Sequence, residues 1–196
     1  LGAEQSGFIV DLGIETYYRI LDEAVEELKQ EEFAELFEEE KKQSYRIPEC
    51  VVDGDLPLYL PTEYVESTPE RLSLYRRLTN IHTSEEIDAF TEELEDRFGP
   101  LPPEAIELLK IPQLKWTANA LGIQRIQFQN HVMILQFVTP MSSPFYASAT
   151  FGNVLKQIST FGNRAQIRQT ESQLAFVVRD IHSVADAQNL LNELAS

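Results

Sequence analysis

A single cysteine, Cys50, leaves this chain without an internal disulfide or a cysteine-built zinc site, which fits a reducing cytoplasm. The three histidines, His82, His131 and His182, lie far apart, none within four residues of another, so metal-ligand spacing is missing too. No GxxxxGK[ST], GxGxxG, HExxH or CxxC occurs. A phosphate-cradling P-loop, a dinucleotide fold and a zincin are therefore not expected, nor is any catalytic, metal or cofactor site. The triplet Asp53, Gly54, Asp55 lacks the further oxygen ligands and the closing glutamate of an EF-hand loop. There is no run of about 18 apolar residues and no basic start followed by an apolar core, so nothing targets the chain to or through a membrane. It begins at Leu1 rather than Met, which suggests a piece of something longer. Basic residues are scarce as well: 16 Lys and Arg stand against 32 Asp and Glu, for a net charge of −16. The one basic cluster with an aromatic among it is Arg71, Tyr75, Arg76 and Arg77, in a segment whose apolar residues face a core. Direct nucleic-acid binding is therefore not expected.

What remains is a globular composition, 43% hydrophobic with 11 Phe, 7 Tyr and only 8 Gly. The charge is unevenly placed. Through Glu107 there are 28 acids and 9 bases, net −19, whereas the remainder holds 4 acids and 7 bases, net +3. A field of that sign repels anionic lipid and bare nucleic acid, whose binding relies on counterions released to Lys and Arg. Basic protein surfaces are the partners it suits, and the charge favours a monomer.

Ile14, Tyr17, Tyr18, Leu21, Val25 and Leu28 recur at helical spacing, followed by the acidic stretch EEFAELFEEEKKQ over 31–43. Pro48, Pro57 and Pro61 frame an extended or edge-strand region with a tight turn expected at Asp53-Gly54. Thr68 with Pro69 and Glu70 predicts a helix start with Thr68 as its N-cap. Thr83 with Glu86 predicts a capping box for the next helix, which carries Ile87, Phe90, Leu94 and Phe98 on one face and stops at Gly99-Pro100. Pro103 and Pro112 open two short helices. IQRIQFQ and VMILQFV predict a hairpin about Asn130-His131, residues 145–159 a helix, AQIRQT and QLAFVVR a second hairpin, and 184–194 a closing helix. The fold class is α+β: an N-terminal helix and linker, then a compact domain with a helical half and a ββαββα-like half. The expected domains are 1–30, an acidic linker 31–46, and 47–196.

One feature of the third helix is unfavourable as it stands. Glu92, Glu93, Glu95 and Asp96 crowd its C-terminal end, where free carbonyls already place about half a negative charge, at a cost of a few tenths of a kcal/mol each. Something positive has to sit nearby. The same stretch, ELEDRFGPLP over 93–102, resembles the ELxDRFGxLP signature of the C-terminal domain of the bacterial transcription-repair coupling factors, the Mfd family. PTEYVESTPERLSLYRRL (61–78) and IELLKIPQLKWTANALGIQRI (106–126) agree with it. LGAEQSG (1–7) looks like the end of that family's translocation motif, and 7–25 like the helix continuing from it. Beyond about residue 127 the likeness is one of pattern.

The resemblance implies a regulatory, non-catalytic TRCF domain of an ATP-driven DNA translocase active in transcription-coupled nucleotide excision repair. ATP and magnesium would belong to the parent's motor lobes. The domain would dock within the same protein on the UvrB-like N-terminal domain and mask the surface that UvrA uses until stalled RNA polymerase is engaged. By motif position, Glu93, with Glu92, Asp96 and Arg97, would form the docking interface, and Gln5, Ser6 and Gly7 the tail of the translocation motif. Arg97 lies four residues after Glu93, the favourable order for an intrahelical pair, so Asp96 and Arg97 also have a local reading. Two other functions compete: an acidic mimic of DNA, and a hydrolase with paired carboxylates.

Overall fold

The computed structural model describes residues 49–170 and 172–196. The N-terminal helix, the acidic linker and the 1–7 motif lie outside the described residues. From the Pro-framed segment onward the elements are β1 (Val51–Gly54), α1 (Thr68–Thr79), α2 (Ser84–Phe98), α3 (Pro103–Leu109), α4 (Ile111–Ala120), β2 (Ile123–Gln129), β3 (Val132–Phe137), α5 (Ala149–Ile158), β4 (Ala165–Gln169), β5 (Leu174–Arg179) and α6 (Val184–Ala195). The α+β expectation and the ββαββα half hold, and the described residues belong to one compact unit.

Three local expectations change. The Asp53-Gly54 pair makes no tight turn: Val51–Gly54 is a strand that pairs in parallel with β2, Val52 opposite Ile126. Gly54 ends it with φ 139°, and a Cβ there would fall 2.1 Å from the Phe128 carbonyl oxygen, so the close approach of the two backbones requires glycine. The N-cap of α1 is Ser67, whose hydroxyl accepts the Glu70 N–H, because Pro69 fits either of the first two helical positions and Thr68 is already inside. The Thr68 hydroxyl instead accepts from Arg71 at 3.0 Å. Residues 145–159 are not one helix: Pro144–Ala147 is a 3-10 turn, Ser148 caps α5, and a further 3-10 segment runs over Ser159–Arg164. The Thr83–Glu86 capping box of α2 is present, with Glu86 N–H donating to the Thr83 hydroxyl at 3.2 Å.

The sheet runs β1-β2-β3-β5-β4, parallel between β1 and β2 and antiparallel elsewhere. Asn130 and His131 make the β2–β3 turn at φ 52° and 60°, the sign a two-residue type I′ hairpin demands. Alternation puts Ile126, Phe128, Met133, Leu135, Phe137, Phe176 and Val178 on one face, buried with side chains of α4, α5 and α6. The opposite face mixes Val132, Ile134, Ala175 and Val177 with polar and charged side chains. Arg125 bonds Asp53 through Nε at 2.8 Å and Nη2 at 2.6 Å, and Gln127 donates to the other Asp53 oxygen at 3.2 Å. Gln136 donates to Gln127 and Gln173 to Gln136, each at 3.1 Å, so an amide ladder crosses the strands.

A second core cluster gathers Leu60, Val65, Leu74, Leu78, Phe90, Leu94, Ala105, Leu108 and Leu109 from the Pro-rich lead-in and α1, α2 and α3. It packs the helical half and turns the charged sides of α1 and α2 outward. No helix among the described residues is long and apolar enough to cross a membrane.

Candidate protein-docking site

Helices α1 and α2 are joined by only a few residues, so they lie side by side with their apolar stripes, Leu74 and Leu78 on one and Phe90 and Leu94 on the other, sharing a core. The flanking polar positions then meet across the seam. Between them lies an open groove of about 450 Å³, lined by Ser73, Arg76, Arg77 and Asn80 on α1, Glu86, Ala89, Phe90 and Glu93 on α2, and Ile81.

The centre of this surface is Glu93. Arg77 donates both guanidinium nitrogens to it, at 2.7 Å to Oε1 and 2.5 Å to Oε2, a bidentate fork. Arg97 donates to Oε1 at 3.0 Å across one helical turn, and its other nitrogen bonds Glu70 on α1. The chain Glu70–Arg97–Glu93–Arg77 therefore alternates charge across the two helices. The Arg77 fork, assisted by Arg97, holds the Glu93 carboxyl far below the usual carboxylate range, at about 2, and Glu93 in turn raises Arg77. Both guanidinium groups also lie over rings, Arg77 at 5.1 Å from the Phe90 centroid and Arg97 at 4.8 Å from that of Phe98.

The positive charge that the crowded end of α2 requires is thus present within the domain. The free carbonyls are also met in part: the Gly99 N–H donates to Glu95 O at 2.9 Å, and the Tyr64 hydroxyl shares its proton between Leu94 O and Gly99 O, each 3.0 Å away. Burial, with Glu95 nearby, raises the Tyr64 phenol. Gly99 itself, at φ 85°, closes the helix.

The four expected interface residues separate into two kinds. Glu93 and Arg97 are knitted into the network. Glu92 and Asp96 are exposed, and neither has a side-chain hydrogen bond or ion pair among the described residues; Arg97 spends its nitrogens on Glu93 and Glu70 instead of on Asp96. Gln5, Ser6 and Gly7 lie outside the described residues. Sequence reasoning missed Arg77 and Glu70 as partners. The signal available was the short α1–α2 connection, which forces antiparallel neighbours and sets Arg77 beside the second half of α2.

Of the groove carboxylates, Glu86 accepts from the backbone N–H groups of His82 and Thr83 at 2.7 and 3.3 Å, and Glu93 is lowered rather than raised. That is the opposite of what a general acid needs. Among the described residues no cluster of three or more His, Cys, Asp or Glu side chains could hold a metal.

Comparison with known proteins gives a consistent result. Residues 55–148 match the TRCF domain family. A transcription-repair-coupling factor of Rickettsia typhi is 29% identical over 194 residues, 97% of this chain and 16% of that protein. One from Staphylococcus aureus is 33% identical over 133 residues, 68% of this chain and 11% of that protein. The chain therefore spans about a sixth or less of the length of these relatives. A crystal structure of the C-terminal domain of transcription-repair coupling factor shares the fold, with TM-score 0.61 and 20% identity over 78% of this chain and 93% of that one.

Proposed function

From the premise that this chain carries a TRCF domain, the domain found at the C-terminal end of transcription-repair coupling factors, we propose that it is a regulatory docking module without catalytic activity of its own. Its α1–α2 surface docks on the basic, UvrB-like N-terminal domain of the same protein and masks the surface offered to UvrA until RNA polymerase is engaged.

The observation that carries the reading is the division of labour at the end of α2. Glu93 is held in position by Arg77 and Arg97, while Asp96 and Glu92 are exposed beside it with no side-chain partner among the described residues. A partner arginine reaching this surface finds two unneutralised carboxylates and a third already oriented, without the cost of ordering that side chain. Because the contacts are exposed ion pairs, each contributes on the order of 1 kcal/mol or less, the scale of a mask that has to release. The arginines interleaved with the carboxylates make the face mixed in sign, which suits a complementary protein surface better than a phosphate-like display.

The test uses a coupling factor carrying this domain, without polymerase. Asp96→Arg should increase UvrA capture several-fold and make it insensitive to added salt, whereas the wild type should capture more UvrA as salt rises. UvrA capture unchanged by both the substitution and salt would refute electrostatic masking by this surface.

A further inference from the structure

The outer face of the sheet, remote from α1 and α2 in the chain, has a charge opposite to the rest of the protein. Cross-strand register puts Arg168 opposite Ala175, and Arg179 opposite Val132, on the side that bears the amide ladder. Arg164 ends the 3-10 segment immediately before β4. Arg164, Arg168 and Arg179 are exposed, and none of their side chains has an ion pair or hydrogen bond among the described residues. The one acid in the pairing rows of this face, Asp53, is already taken by Arg125 and Gln127.

These arginines flank an open strand edge. Among the described residues β4 pairs only with β5, and its residues from Gln166 to Gln169 are exposed. The phase of its backbone follows from the turn: the Thr170 N–H donates to Gln173 O at 2.8 Å, so Thr170, Arg168 and Gln166 face β5. The N–H and C=O groups of Ala165, Ile167 and Gln169 then point away from the sheet. Ile167 is 52% exposed at the middle of that edge. Uncovered edges of this kind are ready to accept another strand.

We propose that the β4 edge is a docking site for an extended acidic peptide, which adds as a sixth strand and sets carboxylates against Arg164, Arg168 and Arg179. Arg168 lies within β4 and Arg164 at the end of the 3-10 segment that leads into it, four positions earlier, so an extended peptide with acids about four residues apart reaches both. Among the strand residues of the outer face there is no aromatic side chain for bases to stack on, and a net charge of −16 opposes nucleic acid. A second copy is disfavoured because edge-to-edge pairing would bring both sets of arginines onto one continuous face.

The test titrates this chain with an acetylated alternating Glu-Val decapeptide, with the Lys-Val decapeptide and single-stranded and duplex DNA as comparators. The Glu-Val peptide should bind saturably, slow hydrogen exchange at Ala165, Ile167 and Gln169, and lose at least tenfold in affinity with Arg168→Glu. Ile167→Pro, which removes an outward N–H at an edge where proline is tolerated, should abolish the exchange protection while leaving the thermal midpoint close to that of the wild type. Should that variant unfold, Arg164→Glu supplies the same reading. Equal binding of both peptides, binding indifferent to the arginine substitutions, no protection of the three amides, or DNA binding with the same arginine dependence would each overturn the proposal.

Discussion

Replacing Glu93 by glutamine keeps the shape of the side chain and removes the charge that Arg77 and Arg97 hold. Taken without solvent, a carboxyl lowered from 4.5 to about 2 would represent roughly 3 kcal/mol of stability. Glu93 is 33% exposed, though, and Arg77 and Arg97 are 48% and 41% exposed, so water screens most of it. Two exposed ion pairs set the expected loss at about 1 kcal/mol at neutral pH, or a fall of a few degrees in Tm. The pH dependence has a definite sign. A carboxyl lowered on folding stabilises above its unfolded value, so the wild-type advantage should be complete above about pH 4.5 and fade as pH falls toward 2. Urea unfolding of both proteins at pH 7, 4.5 and 3, in low and high salt, measures it. A difference that stays constant down to pH 3, or no difference at pH 7, would refute the claim that the network stabilises the α1–α2 seam.

Gly54→Ala should destabilise the domain strongly, by about 3 kcal/mol or more, since its Cβ would meet the Phe128 backbone and the positive φ is strained as well; Gly99→Ala, with nothing within 4 Å, should cost only the strain, about 1–2 kcal/mol. Parallel denaturant melts compare the two, and equal losses would contradict the close-approach argument. Leu94→Ala, at 0% exposure in the helical core, should cost 2–5 kcal/mol by cavity formation. Its amide exchange should quicken first in α1–α3 and last in β3 and β5, which belong to the other cluster.

The element order was largely legible because period and punctuation agreed. The capping box at Thr83–Glu86, the stop at Gly99, the Asn130-His131 turn and the two hairpins each combined a hydrophobic period with a residue whose backbone chemistry permits little else. The failures fell where one residue type serves two geometries. An Asp-Gly pair signals a turn, yet here the glycine lets a parallel strand pass close to Phe128, a long-range fact that local propensity does not contain. Ser67 and Thr68 both offer a hydroxyl, and only the helix phase decides which one caps. In the candidate site the excess of acid at the end of α2 announced a missing cation. The local spacing supplied Arg97, but Arg77 lies 16 residues away and required the packing of two helices to be found. The basic outer face of the sheet was visible only as a net of +3 after Glu107, until strand register collected it on one side.

Binding of this chain to the separately expressed UvrB-like N-terminal domain, with wild type and Asp96→Arg compared at low and moderate salt, tests the central claim most directly. Asp96 has no side-chain partner among the described residues, so its reversal should leave folding stability within about 0.5 kcal/mol while weakening docking at least tenfold. Wild-type binding should also weaken as salt rises. A reversed variant that docks as tightly as the wild type would contradict the assignment of the α1–α2 surface to masking.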